Sequence, residues 1–375
     1  MATVTVAPDQ TETAADRATT GRPRWDLGQL GPNWYAAVMG TAIVANGAVA
    51  LPYRLPGRLV LAEAVWALAV LALLALVAAR LVHLTRHRAA AREQLVVNPA
   101  TAVFYGCPPM ALLAVGYGTL AVGGHLIGTG PAAALDLVLW SLGTLYAVLV
   151  AAGIPYLMVT RHELSALRAN PTWLLPVVAP MVSAALGPAL LPHLPTVLRP
   201  GLFYGCYALF GASLLAILVL LPVVFAGLVH SKLPLLLTPS LFLVLGPLGQ
   251  STTAAGNLAD AAHAVAPRLA GAAFGLAVLY GVAVTGFALL WLLIAGGANL
   301  RALRGARMPF AMTWWAFTFP VGTCVTGAAG LARHTGLAGF GWLSAALYGL
   351  LLVLWAVVGV RTVLALVGGR LLRAA

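Results

Sequence analysis

The sequence predicts an all-α membrane protein of ten transmembrane helices paired as five hairpins, and three observations predict it. Of the 375 residues, 61% are hydrophobic and only 8% are charged, whereas a soluble domain carries about 25% charged residues. The apolar runs are long enough to cross hydrocarbon, which takes about 20 residues of helix. The basic residues fall at the ends of those runs and alternate in density from loop to loop, as the positive-inside rule requires.

Residues 1–30 hold Asp9, Glu12, Asp16, Arg17, Arg22 and Arg24 with no apolar core. That is no signal peptide, and it reads as a disordered cytoplasmic tail. The spans are placed at 31–51, 59–82, 99–124, 132–159, 172–191, 201–229, 235–258, 269–295, 310–331 and 338–366. The first opens at Gly31-Pro32, and the second is a Leu/Val/Ala run closed by Arg80, Arg86, Arg88 and Arg92. The third starts at Pro99, and Arg161 and Arg168 follow the fourth. The fifth carries Pro176, Pro180 and Pro188, and Lys232 follows the sixth. The seventh holds the polar run Gln250–Thr253, and Arg301, Arg304 and Arg307 follow the eighth. The ninth contains Thr318, Phe319 and Pro320, and the tenth leads into a short cytoplasmic C-terminus, 369–375. Residues 31–368 thus form one transmembrane domain.

With both termini in the cytoplasm, sixteen of the 21 basic residues lie inside. Arg54, Arg58, Arg199, Arg268 and Arg333 lie outside. An odd number of spans would put the termini on opposite sides and destroy this asymmetry. The same placement excludes a nucleic-acid partner despite the net charge of +12, because no basic face gathers to grip phosphates. An inner (plasma) membrane location follows, with the lipid bilayer as the main partner.

Each odd-numbered span begins at or beside a proline: Pro32, Pro99, Pro171, Pro239 and Pro309. A second helix breaker recurs further in: Gly40, Pro109, Pro180, Pro247 and Pro320. Proline inside a helix removes a hydrogen bond and kinks it, and hydrocarbon tolerates freed backbone groups only beside protein or a water-filled cavity. Five kinked helices therefore predict an inner ring around a central path, with the Leu- and Val-rich even helices facing lipid.

No Asp, Glu, Lys or Arg occurs in the five odd spans. They offer neutral polar groups instead, and Thr41, Gln250, Ser251, Thr252 and Thr318 are the candidates for lining the path, beside Asn46, Thr253, Asn257 and Thr326. Any one of these also suits a hydrogen bond between helices. Cation channels and proton pumps place carboxylates at such a path, so a neutral path biased by helix dipoles favours small anions. Glu63 and Asp136, the acids of the even spans, read as interfacial anchors. His83 and His87, one turn apart, read as part of an interfacial stripe. Cys107, Cys206 and Cys324 have no metal or redox spacing. No nucleotide loop or nucleophile motif occurs, so no enzyme, cofactor or metal is implied.

The opening Gly31-Pro-Asn-Trp-Tyr-Ala-Ala-Val-Met-Gly-Thr41 resembles the first helix of the tellurite-resistance and dicarboxylate transporter family, which includes the plant slow-type anion channels. Asn98–Gly106, Pro171–Pro176, Leu245–Gln250 and Trp314–Pro320 resemble its other odd-helix signatures. The resemblance implies ten helices in quasi-fivefold arrangement around a pore, a homotrimer with one pore per subunit, and a phenylalanine on the ninth helix that plugs the pore. That phenylalanine falls on Phe319, while Phe317 is an aromatic without that role. Family members carry chloride, nitrate, sulfite, malate or related acids. The reading is a membrane anion channel or uniporter. A proton-linked carrier of malate-like C4-dicarboxylates or a sulfite or tellurite efflux transporter is the alternative, with a membrane-embedded enzyme further off.

Overall fold

In hydrocarbon every backbone polar group must be satisfied within the protein, and helices do this segment by segment. The computed structural model describes residues 27–54, 56–164, 169–305, 308–369 and 371, and all regular structure among them is helical. Nine helical segments are long and apolar enough to cross a membrane: α2 (Arg58–Arg86), α3 (Pro99–Ile127), α4 (Thr129–Thr160), α5 (Pro171–His193), α6 (Arg199–His230), α7 (Leu235–Val265), α8 (Pro267–Gly305), α9 (Met312–Thr335) and α10 (Ala338–Val367). The first, α1 (Tyr35–Ala50), has 16 residues, extended by the 3-10 turn Pro32–Trp34. The described residues therefore hold nine long spans and a shorter first one, close to the ten expected. Most of the expected tail, 1–26, lies outside the described residues. Its end is already anchored, because Leu30 is buried and its carbonyl accepts from Arg80 Nη1 at 2.7 Å.

The odd helices form a closed ring. α1 packs on α3, α3 on α5, α5 on α7, α7 on α9, and α9 back on α1. Each even helix lies against two neighbours of that ring: α2 on α1 and α3, α4 on α3 and α5, α6 on α5 and α7, α8 on α7 and α9, α10 on α9 and α1. Burial separates the two layers. The apolar windows of α5, α7 and α9 are 94%, 72% and 83% buried and that of α3 56%, against 17 to 22% for the even helices. The exposed Leu and Val side chains of the even helices form the lipid-facing surface.

Each ring helix is entered through, or contains near its start, a 3-10 segment: Pro32–Trp34, Val103–Gly106, Pro171–Trp173, Leu235–Val244 and Met312–Phe317. Pro109, Pro247 and Pro320 stand within the first three residues of the α-helical stretch that follows. There a missing N–H removes no intrahelical bond, so these prolines mark a change of helix type. Pro180 and Gly40 lie inside uninterrupted α-helix, Leu174–Leu186 and Tyr35–Ala50. Gly40 instead gives room for Thr318 and Trp315, whose side chains occupy the place of a β-carbon.

Indole N–H groups tie the layers together. Trp66 of α2 donates to Thr119 Oγ1 at 3.1 Å, Trp140 of α4 to Ser183 O at 3.0 Å, Trp291 of α8 to Leu241 O at 2.9 Å, and Trp355 of α10 to Thr41 Oγ1 at 3.2 Å. Two side groups depart from the sequence reading. Asp136 is no interfacial anchor, being 2% exposed and packed in the space left by Gly116 of α3. His83 is fully buried and stacks on His87 at 5.8 Å.

Candidate functional site

Two cavities lie within the ring, and residues of all five odd helices line each. The larger, about 310 Å³, is at the end marked by Pro52 and Arg333. Ile43 and Asn46 of α1, Ala114 and Tyr117 of α3, Leu186 of α5, Gln250, Thr253 and Asn257 of α7, and Phe319, Thr326 and Arg333 of α9 surround it. That volume holds a small ion with several waters. The smaller cavity, about 20 Å³, is lined by Met39, Cys107, Leu175, Leu243 and Ala316 among others. On α9 the step from one to the other runs from Ala316 to Phe319.

Helical spacing explains who reaches the larger cavity. Gln250, Thr253 and Asn257 recur every three or four residues, one face of α7. Phe319, Thr326 and Arg333 recur every seven on α9. Phe319 is 2% exposed. Phe317 lines neither cavity and packs edge-on against Phe242, with ring centres 4.9 Å apart, and against Trp314 at 5.8 Å.

Of the sequence candidates, Gln250 and Phe319 meet at the larger cavity, together with Asn46, Thr253, Asn257 and Thr326. The other four polar candidates point elsewhere. Thr41 Oγ1 donates to Ala37 O and accepts from Trp355. Ser251 and Thr252 donate to Leu248 O at 3.1 and 3.0 Å, and Thr252 faces Thr285 and Leu292 of α8. Thr318 is fully buried at the α1–α9 contact and donates to Trp315 O. A hydroxyl on a helix returns its proton to a carbonyl of the preceding turn, so four consecutive polar residues need not share one cavity. Pro109, Pro180, Pro247, Pro320 and Gly40 contribute no lining group to it.

Hydrogen bonding leaves donors free in the cavity. Thr253 and Thr326 pair at 2.7 Å and also face the carbonyls of Gly249 and Thr323. Asn46 donates across to Ala114 O, and Asn257 to Ala185 O at 2.7 Å. The Gln250 amide, 2% exposed, makes no hydrogen bond among the described residues, and neither does the Tyr117 hydroxyl. A buried amide without a protein partner is costly unless water or a ligand meets it.

The sequence reading put Arg333 on the outer side but gave neither it nor Asp260 and His334 a place in the site. α7 and α9 run beyond 258 and 331, to Val265 and Thr335, and carry Asp260, Arg333 and His334 to the rim. His334 Nε2 donates to Asp260 Oδ1 at 2.7 Å, while Arg333 Nη2 stands 3.9 Å from Asp260 Oδ2. The signal was present. Continuing the Gln250–Asn257 spacing reaches Asp260, and continuing the Phe319–Thr326 spacing reaches Arg333. No group of three or more metal-ligating side chains gathers among the described residues.

The chain is 26% identical over 332 residues to a Methanocaldococcus jannaschii protein named uncharacterized transporter MJ0576, covering 88% of this chain and 92% of that one. It is 27% identical over 314 residues to the sulfite efflux pump SSU1 of Arthroderma otae, covering 81% and 82%. A second M. jannaschii protein, uncharacterized transporter MJ0762, is 24% identical over 344 residues, covering 91% and 96%. Residues 29–363 match the family described as SLAC1, voltage-dependent anion channel, and with nine long apolar helices among the described residues and a polar cavity inside the ring, the chain is a multi-pass membrane protein of that family of anion transporters.

Proposed function

We propose that the centre of the ring is a conduction path for small anions, that the path is passive, and that the Phe319 ring is its plug. The observation that carries this reading is the position of Phe319 at the base of the larger cavity, with the smaller one beyond it and the same five helices around both. An apolar ring at a constriction excludes water and raises the barrier for an ion that must keep part of its hydration. Among the described residues, no lining residue of the larger cavity other than Arg333 carries a full charge, so selectivity rests on amide and hydroxyl donors and on that cation. Weak, distributed binding suits conduction better than tight capture. Under the charge asymmetry both termini are cytoplasmic in the plasma membrane, and the larger cavity faces outward. The family resemblance supports a homotrimer, and native mass spectrometry should show three subunits; monomers alone would remove that expectation.

Purified protein in liposomes, with chloride, nitrate, sulfite and malate flux followed at fixed voltage, tests the reading. Flux set by the electrochemical gradient alone is expected. Flux that strictly requires a proton gradient would replace the channel by a proton-linked carrier. Similarity to sulfite efflux pumps over 81% of the chain favours sulfite as one cargo, and cells expressing the protein should then lose preloaded sulfite faster than cells without it.

A further inference from the structure

Arg333 stands at the end of the larger cavity, with Asp260 and His334 beside it, and the plug explains none of the three. Arg333 lines the cavity, and its guanidinium makes no hydrogen bond among the described residues. Its nearest acid, Asp260, is 3.9 Å away, too far for a hydrogen bond. Asp260 gives its closer contact to His334, at 2.7 Å. The His334 side chain is 7% exposed and held edge-on against the Phe274 ring of α8, centres 5.6 Å apart. Deeper in the same cavity lies the unpartnered Gln250 amide, 2% exposed. A mobile anion therefore meets a loosely paired cation at the rim and an unused N–H donor further in.

We propose that Arg333 captures anions at the rim of this cavity, and that His334, by sharing Asp260 with it, strengthens the capture as pH falls. The inference rests on the conduction path proposed above. With His334 neutral, its Nε2–H donates to a carboxylate that keeps its full charge. Arg333 and Asp260 then cancel, and the rim is electrically neutral. With His334 protonated, imidazolium and carboxylate cancel, and the guanidinium is the remaining charge. The three groups pass from neutral to a single net positive charge. A cation at the mouth of a low-dielectric cleft concentrates anions there.

The other groups around this trio do not replace it. Tyr117 of α3 and Arg199 of α6 face Asp260 across an adjoining cavity of about 420 Å³. Arg199 is committed to the carbonyls of Leu194 and Pro192. His263 lies one turn further along α7 and is exposed, and α8 contributes the Phe274 ring. Arg58, beyond the rim, donates to the carbonyls of Leu51 and Tyr53.

Nitrate flux in proteoliposomes is the test, because nitrate takes up no proton in this range and equal pH on both sides removes any dependence on orientation. It is measured at about pH 5.5 and about pH 8, the span in which a histidine can serve as a switch. The unmutated protein should pass about tenfold more nitrate at the lower pH, the low end of what charge focusing supplies. His334→Gln keeps a donor for Asp260 but cannot charge, so it should fold normally and lose the pH dependence. Asp260→Asn should carry at the higher pH the flux the unmutated protein shows at the lower. Arg333→Gln should raise the half-saturating nitrate concentration, and Arg333→Lys should restore much of the loss. Flux independent of pH in the unmutated protein, pH dependence surviving in His334→Gln, or unchanged half-saturation in Arg333→Gln would each overturn the inference. Absence of nitrate flux even in Phe319→Ala would instead sink the conduction path itself.

Discussion

Phe317 and Phe319 stand two residues apart on α9 and meet different surroundings. Phe317 is wedged against Phe242 and Trp314 in the contact between α7 and α9. Phe319 lies against the polar cavity. Truncating Phe317 to alanine should therefore cost stability, about 3–5 kcal/mol for a large buried aromatic, read as a lower unfolding temperature in detergent. Conductance should not rise, and a rise would place Phe317 in the path. Gln250 is the second residue on which the reading turns. Gln250→Glu keeps the shape and replaces an N–H donor by a carboxylate in a low-dielectric cavity. Anion flux should fall by about tenfold or more, since even about 1.4 kcal/mol of added repulsion shifts occupancy tenfold. Unchanged flux would mean that ions do not pass beside Gln250.

At the scale of the element, α7 shows what sequence patterning reveals and what it hides. The polar cluster 250–253 was plain from composition, but which of its members face inward depends on helical phase. Gln250, Thr253 and Asn257 share one face, whereas Ser251 and Thr252 bond to Leu248 O. Cysteines at 250, 253 and 257 should react with water-soluble thiol reagents, and those at 251 and 252 should be slow. Uniform reactivity along 250–257 would contradict the cavity face. The end of α7 was harder to read, since hydropathy marks where apolar residues stop and not where a helix does. Asp260 therefore fell outside the expected span, as Arg333 and His334 did on α9. The proline positions were legible, but their consequence was not uniform. Pro109, Pro247 and Pro320 open α-helical stretches after 3-10 turns, while Pro180 is absorbed in one. α7 also meets α9 through Gly249, where a β-carbon would fall against the backbone of Thr323 and Cys324. Backbone cannot swing aside as a side chain can, so Gly249→Ala should destabilise by about 1–3 kcal/mol. An unfolding temperature equal to the unmutated one would mean that the two helices can separate freely.

At the scale of the whole molecule, two layers of five helices follow from a contrast already present in the chain. The odd spans are rich in Gly, Pro and neutral polar residues and the even ones in Leu and Val, so only the even ones suit lipid. What composition could not supply was closure, because the packing of α9 back on α1 joins residues at opposite ends of the chain. Tyr348 OH of α10 donating to Val44 O of α1 at 3.2 Å further ties the two ends of the chain together. Sidedness belongs to this scale too. A cysteine at Arg268 should label from outside the cell and one at Arg304 from within, and labelling of both from one side would break the assignment of the termini to the cytoplasm.

A path for ions through this ring, obstructed by Phe319, makes one variant decisive. Single-channel or macroscopic anion current of Phe319→Ala, in protein that purifies as a folded species, measures it most directly. Conductance well above that of the unmutated protein is the expected result, with Phe317→Ala unchanged. A well-folded Phe319→Ala protein whose conductance equals that of the unmutated chain would contradict it.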